Sequence, residues 1–329
     1  MPSQNPLDDF RALVERMPPL GEAAGKAVTD LFASQGAGSS GLAAIAATVA
    51  RAIGARPSVS RPSLAMFAGA HGIARHGLSA QRMDATLAMV AACGSGDAAV
   101  NHLCAANMIG LKVYDLALHL PTGDISAADA MDERNGAATM AFGMEAIAGG
   151  ADCVLLASIG SSGDETVAGA VLAAFHGGAA EEWLPADERL AKRAALVKAA
   201  LAREDVARRD PLAKLTALGG REFAAIAGAI IAARMERIPV ILEGLTALAA
   251  ASALAAIDGA AIGHCLLADA HEGPAARAAK RLGLQPLVAQ GLAAGAGTAA
   301  ALGVSVLRDA LALHAGFAAH ARTAHAHTH

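Results

Sequence analysis

Short apolar segments alternate with longer alanine-rich segments along most of this 329-residue chain, and this alternation limits the fold more than any other feature. The short segments have the length and composition of buried strands, and the longer ones have helical periodicity. Strands are predicted at residues 63–68, 112–118, 153–158, 239–242 and 261–267. Strands separated by helices favour an α/β fold with a parallel Rossmann-like sheet and helices on both faces. In such a sheet, ligands bind beyond the carboxyl ends of the strands.

Further helices are predicted before this alternating region and within it. Residues 7–33 and 41–53 have helical periodicity, and the QGAGSSG stretch between them is suited to a boundary. Residues 186–210 are charged and are predicted to form one long exposed helix. At the C-terminus, the alternating His325, His327 and His329 could chelate a metal in an extended conformation, or they could belong to a flexible tail.

Composition excludes several functional classes. A formal net charge of −4 gives no field that would attract nucleic acid or anionic lipid, and 3% aromatic residues leave little surface for stacking on bases. The four cysteines have no zinc-ligand spacing, so they are predicted to be free thiols in a reducing compartment. The N-terminus is polar and charged, unlike a signal peptide, and the apolar runs are interrupted or only weakly hydrophobic. We therefore expect a soluble cytoplasmic protein that binds neither nucleic acid nor membrane.

Candidate functional residues lie in the loops that follow the predicted strands. His71, in AGAHGIARHGLSA, could touch a ligand or could be a structural histidine bonded to backbone. Glu243 ends the strand IPVIL at the ligand-binding edge, where it could act on a ligand or cap a helix. Asp164 and Glu165, in SIGSSGDET, begin a predicted helix and could complement its dipole. The glycines and serines of that same loop could present N–H groups to a phosphate.

The segment CGSGDAA, residues 93–99, raises a separate possibility. It fits the glycine fingerprint G-x-G-x-x-A, with Asp115 about 20 residues further on, and would indicate a nicotinamide cofactor if a strand preceded it. The preceding TLAMVAAC fits a helix as well as a strand. A single glycine fingerprint in a chain with 35 glycines is a weak signal.

Residues 210–251, DPLAKLTALGGREFAAIAGAIIAARMERIPVILEGLTALAAA, resemble a known family. The nicotinate-nucleotide:dimethylbenzimidazole phosphoribosyltransferases usually carry the pattern D-P-L…G-G-x-E-I-A-x-x-A-G…R-x-P-V-x-L-D-G. The positions that match this pattern are Asp210, Gly219, Gly220, Glu222, Gly228, Pro239 and Gly244. Glu243 stands where the family usually has Asp.

Other blocks follow in the order of that family. AGAHGIARHGLSA resembles G-D-H-G-V-A…G-V-S-A, and GSGDAAVN resembles G-G-A-A-I-N, which speaks against a dinucleotide site at residues 94–99. LGLQPLVAQGLAAGAGTAAAL resembles L-G-L-x-P-L-L…L-G-E-G-T-G-A-A-L. The resemblance covers nearly the whole chain from about residue 40.

The resemblance implies a fold and a reaction. It implies a parallel α/β core at 37–280 and a small helical domain made of residues 1–36 and 281–329, the latter with a flexible histidine-containing tail. It also implies a homodimer. Members transfer 5-phosphoribose from nicotinate mononucleotide to dimethylbenzimidazole, which makes the lower-ligand nucleotide of cobalamin without a metal or cofactor.

The chemical positions of the family are altered in this sequence. The resemblance implies a general-base glutamate in a G-E-G-T-G loop, and GAGTA, residues 295–299, places Ala296 at that position. Ser158, Ala70 and Ala88 stand where a second Glu, an Asp and a Gln are usual, and only Glu272, Gly273 and Pro274 echo a downstream E-P-G-H. Candidate substitutes for the missing base are Glu165, Glu243 and His71, and Asp164 and Glu272 also lie in ligand-side loops. The expected substrate-binding residues are Ser79, Gly160, Ser161, Ser162, Gly163, Thr166, Glu243, Gly295, Gly297 and Thr298.

Three functions remain open at this stage. The chain could be a divergent transferase acting on an azole or phenol, because a more acidic nucleophile needs less help from a base. It could be a non-catalytic member that binds a nucleotide or an azole, or that supports an active paralogue as a partner subunit. The third hypothesis is an unrelated nicotinamide-dependent enzyme that uses the glycines of residues 94–99.

Overall fold

A computed structural model describes residues 5–78, 83–270, 272–291 and 296–326 of the chain. The helices are α1 Asp8–Glu15, α2 Glu22–Ser34, α3 Gly41–Ile53, α4 Met83–Ser95, α5 Ala99–Ala106, α6 Glu133–Ala146, α7 Asp164–His176, α8 Leu190–Leu201, α9 Glu204–Ala207, α10 Pro211–Leu218, α11 Arg221–Met235, α12 Gly244–Ile257, α13 Gly273–Leu282 and α14 Thr298–Ala326. The strands are β1 Pro62–Ala68, β2 Gly110–Asp115, β3 Cys153–Ile159, β4 Val240–Leu242, β5 Cys265–Asp269 and β6 Pro286–Val288. The predicted α/β class with a parallel sheet is confirmed.

The described strands form one parallel sheet in the order β2-β1-β3-β4-β5-β6. The chain runs outward from β1 to β2 and then returns to the other side of β1 to form β3. The direction of winding therefore reverses between β1 and β3, and the loops that leave these two strands diverge. A crevice opens at such a point in parallel sheets.

Each face of the sheet is covered by its own hydrophobic cluster, because alternate side chains of a strand point to opposite faces. Ala65 and Phe67 of β1 join the cluster that contains α7, α11 and α12. Leu64 and Met66 join the cluster that contains α3, α5 and α14. This explains why β1 has no polar alternation.

Helix α11 is buried along almost its entire length and crosses α6 at very short range. A Cβ added at Gly228 would overlap the carbonyl oxygen of Met140, and one added at Gly143 would overlap the carbonyl oxygen of Ala225. The two glycines therefore allow backbone-to-backbone packing. This crossing fixes α11, whose first turn lies at the ligand-side edge of the sheet.

Two of the predicted helices are wrong in extent. The segment 7–33 is divided into α1 and α2, because Pro18 and Pro19 interrupt the helical backbone. The segment 186–210 forms the separate helices α8 and α9, and Ala194 and Val197 of α8 are buried. The charged residues of this segment therefore occupy only part of its surface.

The predicted strands correspond to β1–β5, with shifted ends for two of them. The strand predicted at 112–118 begins and ends earlier, and the one predicted at 261–267 begins later, because a short 3₁₀ turn at Gly259–Ile262 precedes β5. The three-residue strand β6 was not predicted. It is too short to show a periodic pattern.

The chain ends pack on different parts of the structure. Phe10 and Val14 of α1 belong to the cluster around α11, whereas α2, α3 and α14 pack together, with the rings of Phe32 and Phe317 5.1 Å apart. The division into a core and a small helical domain stays a prediction. Ser79, Gly295, His327 and His329 lie outside the described residues.

Helix α14 is long and apolar enough to cross a membrane by length and composition alone. In this fold, 44% of its most apolar window is buried inside the protein, and Val304, Leu307 and Ala310 have no exposed surface. A helix in the core of a soluble protein has the same properties. Its packing against α3, α5 and the sheet accounts for its apolar composition.

The α6–α11 crossing generates a stability prediction. Gly228→Ala should destabilise the protein by about 2 kcal/mol or more, because the added methyl group must push two helix backbones apart. The matched control is Gly316→Ala in α14, where an added Cβ meets no atom within 4 Å. The control should stabilise by about 0.5–1 kcal/mol, since alanine is the better helix former. Equal effects of the two substitutions in denaturant unfolding would contradict this account.

Candidate active site

The strand order predicts a crevice between β1 and β3, where the glycine-rich segments that leave these strands meet. Gly163 has the left-handed backbone conformation (φ +95°), and a Cβ there would approach the side chain of Ile73 to 2.8 Å. The hydroxyl of Thr86 in α4 donates to the carbonyl oxygen of Gly160 at 3.0 Å. Glycine is needed at 163 both for its conformation and for this close approach. The two segments are thus packed against each other at the base of the crevice.

A buried ion pair lies under this crevice. Nε2 of His71 is 2.6 Å from Oε1 of Glu222, and each side chain is no more than 2% exposed. A Cβ at Gly220 would lie 2.5 Å from the imidazole ring of His71, so the G-G-x-E turn must be free of side chains at that point. Burial disfavours the imidazolium, but the Glu222 carboxylate and the charge of Asp164 outweigh it and raise the pKa of His71. The surroundings therefore favour the protonated form of the His71 imidazole.

Asp164 begins α7 beside this pair. Its Oδ1 accepts a hydrogen bond from the backbone N–H of Glu165 at 2.8 Å, and its Oδ2 faces Gly160. Burial raises the pKa of Asp164 to about 6, although the neighbouring His71 acts in the opposite direction. The residue is half-buried. It is thus able to exchange a proton near neutral pH.

Glu165 is directed elsewhere. Its carboxylate lies 3.2 Å from the guanidinium of Arg193, which also contacts Asp187 at 3.1 Å and donates to the carbonyl oxygen of Leu78. Arg193 is buried in α8 and holds the Glu165 carboxylate in an ion pair. The role of Glu165 as a substitute base stays a prediction.

Glu243 joins the end of β4 to the beginning of α14. Its two carboxylate oxygens accept hydrogen bonds from the N–H groups of Gly297 and Ala300, each at 2.7 Å. Burial raises the pKa of Glu243 to about 7, against the opposing effect of these N–H donors. The contacts are those of a helix cap supplied by a distant residue.

Ala296 lies in the turn that Glu243 holds. Gly297 follows it in the left-handed conformation (φ +80°), and a Cβ there would press on Leu64 and Val100. Ala296 itself is half-buried and packs against the cluster that contains α14. It offers only a methyl group at this edge of the sheet. No proton can be accepted there.

The remaining predicted residues are distributed around the same edge. Ser161 and Thr166 are buried, and their hydroxyl oxygens have no hydrogen-bond partner among the described residues. Thr298 is buried at the start of α14, and Ser162 is half-buried. Glu272 is exposed immediately before α13. Ser161 and Thr166 are therefore buried polar groups that lack partners at the β3 end of the crevice.

The structure contradicts the dinucleotide hypothesis for residues 94–99. Gly94 is in the last turn of α4, a helix, whereas the fingerprint requires a strand before the glycines. In the described ranges, no group of three or more His, Cys, Asp or Glu side chains is arranged to hold a metal ion.

Sequence reasoning gave no role to Glu222 or Thr86. Glu222 entered only as a matching position in the family pattern, although it makes the shortest polar contact of the crevice with His71. The available signal was a charged residue inside an otherwise apolar helical run that follows two glycines. Thr86 had no signal, since a threonine near the start of a helix is common.

Comparison with known proteins places this architecture in one group. The profile of a phosphoribosyltransferase family matches residues 20–324. The chain is 45% identical to the nicotinate-nucleotide–dimethylbenzimidazole phosphoribosyltransferase of Agrobacterium fabrum, over 95% of this chain and 93% of that protein. It is 44% identical to the protein of the same name from Brucella anthropi, over 95% of each. The crystal structure of the Thermus thermophilus protein of that name superposes with a TM-score of 0.80 at 25% identity, covering 89% of this chain and 94% of the other.

The raised pKa of Glu243 generates a pH prediction. The ordinary pKa is 4.5 and the folded value is about 7, so between these pH values the folded protein holds a proton that the unfolded chain releases. The contribution of this group to stability therefore declines as the pH rises through that window. Glu243→Gln cannot titrate. The free energy of unfolding of Glu243→Gln, minus that of the native chain, should therefore rise by on the order of 1–2 kcal/mol from pH 4.5 to 7.5. This value is smaller than the full pKa shift implies, because Glu243 is partly exposed to solvent.

This comparison is made by denaturant unfolding of both proteins at each pH. The pH-dependent contributions of His71 and Asp164 to stability cancel in the difference between the two proteins, because both groups are present in both. Glu22→Gln, which removes an exposed carboxylate from α2, is the control. A stability difference that does not change with pH would show that Glu243 keeps its ordinary ionisation in the fold.

Proposed function

We infer the function from the premise that this chain belongs to the nicotinate-nucleotide–dimethylbenzimidazole phosphoribosyltransferase family. We propose that it binds nicotinate mononucleotide and an azole or phenol base in the crevice at the carboxyl ends of β1, β3 and β4. The proposed reaction is transfer of 5-phosphoribose to that base, as in the synthesis of the cobalamin lower ligand. The match over nearly the full length of the chain and of its relatives supports this proposal.

The residue at position 296 determines the rate that we expect for transfer to dimethylbenzimidazole. Ala296 stands in the turn held by Glu243, at the position where the family resemblance implies a general-base glutamate. Losing a general base costs on the order of 10²–10⁴ in rate. We therefore propose that transfer to dimethylbenzimidazole is slow. A more acidic acceptor, such as a phenol, would depend less on the missing carboxylate.

A non-catalytic role as the partner subunit of another chain is the second candidate. Such a role requires an interface, and the β2 edge of the sheet offers one. The exposed large apolar side chains among the described residues flank β2 or the helices beside it: Leu87, Met108, Leu120 and Phe142. An open edge strand with an apolar border favours association with another chain. We propose a dimer through this edge, either of two copies or with a paralogue that carries the missing carboxylate.

We also propose that the protein acts in the cytoplasm. All four cysteines are buried free thiols, which suits a reducing compartment.

Restoring the carboxylate tests the proposed function. Calorimetry should show that the native chain and Ala296→Glu both bind nicotinate mononucleotide. With dimethylbenzimidazole, release of nicotinate should be faster in Ala296→Glu, because a carboxylate returns to the position where the family resemblance implies the general base. Ala315→Glu, which adds a carboxylate on the exposed side of α14, should resemble the native chain.

The outcomes separate the candidates. Binding without nicotinate release in either protein would favour the non-catalytic role. Absence of nucleotide binding would contradict the proposed function altogether, and rapid turnover by the native chain would contradict the importance of residue 296.

The proposed dimer is tested at Met108, which is 75% exposed beside β2. Met108→Glu should weaken self-association at least tenfold, because a charge would be buried in the apolar interface. Light scattering after size-exclusion chromatography measures this. Gln285→Glu adds the same charge next to β6 at the opposite edge and should leave association unchanged. A native chain that is monomeric at micromolar concentration, or a Met108 variant that dimerises as the native chain does, would refute the interface.

A further inference from the structure

Several carboxylates lie at this edge of the sheet, and among the described residues all but one of those close to the β1–β3 reversal are engaged by other groups. Glu222 is 2% exposed and paired with His71. Glu165 is held by Arg193. Both oxygens of Glu243 accept N–H groups of α14. Asp269 ends β5, which is separated from the crevice by β4.

Asp164 is the exception. Its Oδ1 is fixed by the N–H of Glu165, while Oδ2 accepts no hydrogen bond from any residue in the described part of the chain. The free oxygen lies next to Gly160, at the point where the chain leaves β3. Near it, the hydroxyl of Ser161 and Nδ1 of His71 are buried without a hydrogen-bond partner among the described residues. Buried polar atoms without partners are rare in folded proteins and indicate an absent ligand or water.

The buried His71–Glu222 pair gives Asp164 a suitable environment. The charged groups that face Asp164 are His71 after β1, Glu222 in the first turn of α11, and Glu165 on its own helix. Arg193 of α8 neutralises Glu165. The imidazolium of His71 favours the ionised form of Asp164, and burial opposes it. The carboxylate is thereby poised near the operating pH, which is optimal for a general base.

We propose that Asp164 is the proton acceptor that this chain uses in place of a carboxylate at residue 296, and that His71 and Glu222 are its positioning residues. This inference rests on the proposed function, since it assigns a role within the same transfer.

In the proposed step, the azole displaces nicotinate from the anomeric carbon of the ribose. One ring nitrogen of the azole uses its lone pair to form a bond to the anomeric carbon of the ribose. The bond from that carbon to the pyridinium nitrogen breaks, and its electron pair neutralises the departing nicotinate ring. The proton on the other azole nitrogen passes to Oδ2 of Asp164. The products are the azole nucleotide, nicotinate and one proton, which the protonated carboxyl later releases to water.

The test uses Asp164→Asn, which keeps the size of the side chain but cannot accept the proton. Turnover, measured as nicotinate release with dimethylbenzimidazole, should fall at least a hundredfold. The affinity for nicotinate mononucleotide should change less than threefold. In the native chain the rate should increase as the pH rises through about 6, because the base must be ionised, and this dependence should disappear in the variant. Asp164→Glu should recover part of the activity.

A binding measurement covers the case of undetectable turnover. Calorimetric titration of dimethylbenzimidazole should show at least tenfold weaker binding to Asp164→Asn, since the hydrogen bond from the azole N–H to the carboxylate is lost. Glu22→Gln, which removes a carboxylate from the first turn of another helix, should match the native chain in both assays.

The results distinguish the two proposals. If the native chain binds neither the nucleotide nor the azole, the proposed function fails and this inference fails with it. If the native chain binds both and Asp164→Asn leaves azole affinity and turnover within threefold, the inference alone is wrong. A loss of turnover in Glu165→Gln with none in Asp164→Asn would assign the acceptor to Glu165 and would also overturn it.

Discussion

The bond between Glu243 and the first turn of α14 connects the two parts of the structure on which the site depends. It joins the end of β4 to a loop about 54 residues away, through Gly297 and Ala300. These two bonds satisfy N–H groups at the start of α14 that have no acceptor within the helix. They also fix the position of the turn that contains Ala296 relative to β4. The position that the family resemblance assigns to the proton acceptor is therefore kept in place although it holds a methyl group.

The second constraint is the burial of His71 and Glu222 near the point where the direction of winding reverses between β1 and β3. A buried ion pair gives little net stability, because desolvation of both charges offsets most of their attraction. The pair instead places fixed charges next to the site, and fixed charges act on a reacting group without having to reorganise. The neighbouring Asp164 is the group that experiences this field. The groups that can exchange a proton in the crevice are thus His71 after β1 and Asp164 after β3. The methyl side chain of Ala296 cannot exchange a proton.

The sequence predicted the architecture well because the fold is encoded in local patterns. Short apolar strands between helices determined the parallel sheet, and the loops after them contain His71, Asp164 and Glu243. It did not predict where these side chains point. Arg193 lies 28 positions from Glu165, and Gly297 lies 54 positions from Glu243, so their contacts arise only when distant segments pack together. Pro18 and Pro19 are a local signal from which the end of α1 could have been predicted. The three residues of β6 are too few to show any local pattern.

A crystal structure of the native chain with nicotinate mononucleotide and an azole tests the central claim most directly. The account predicts that both ligands occupy the crevice at the carboxyl ends of β1 and β3, with the methyl group of Ala296 facing the azole and a carboxylate oxygen of Asp164 within hydrogen-bond distance of its N–H. Ligands found instead at the opposite edge of the sheet, for example in the cavity of about 640 Å³ beside Gly149 and Gly150, would contradict it.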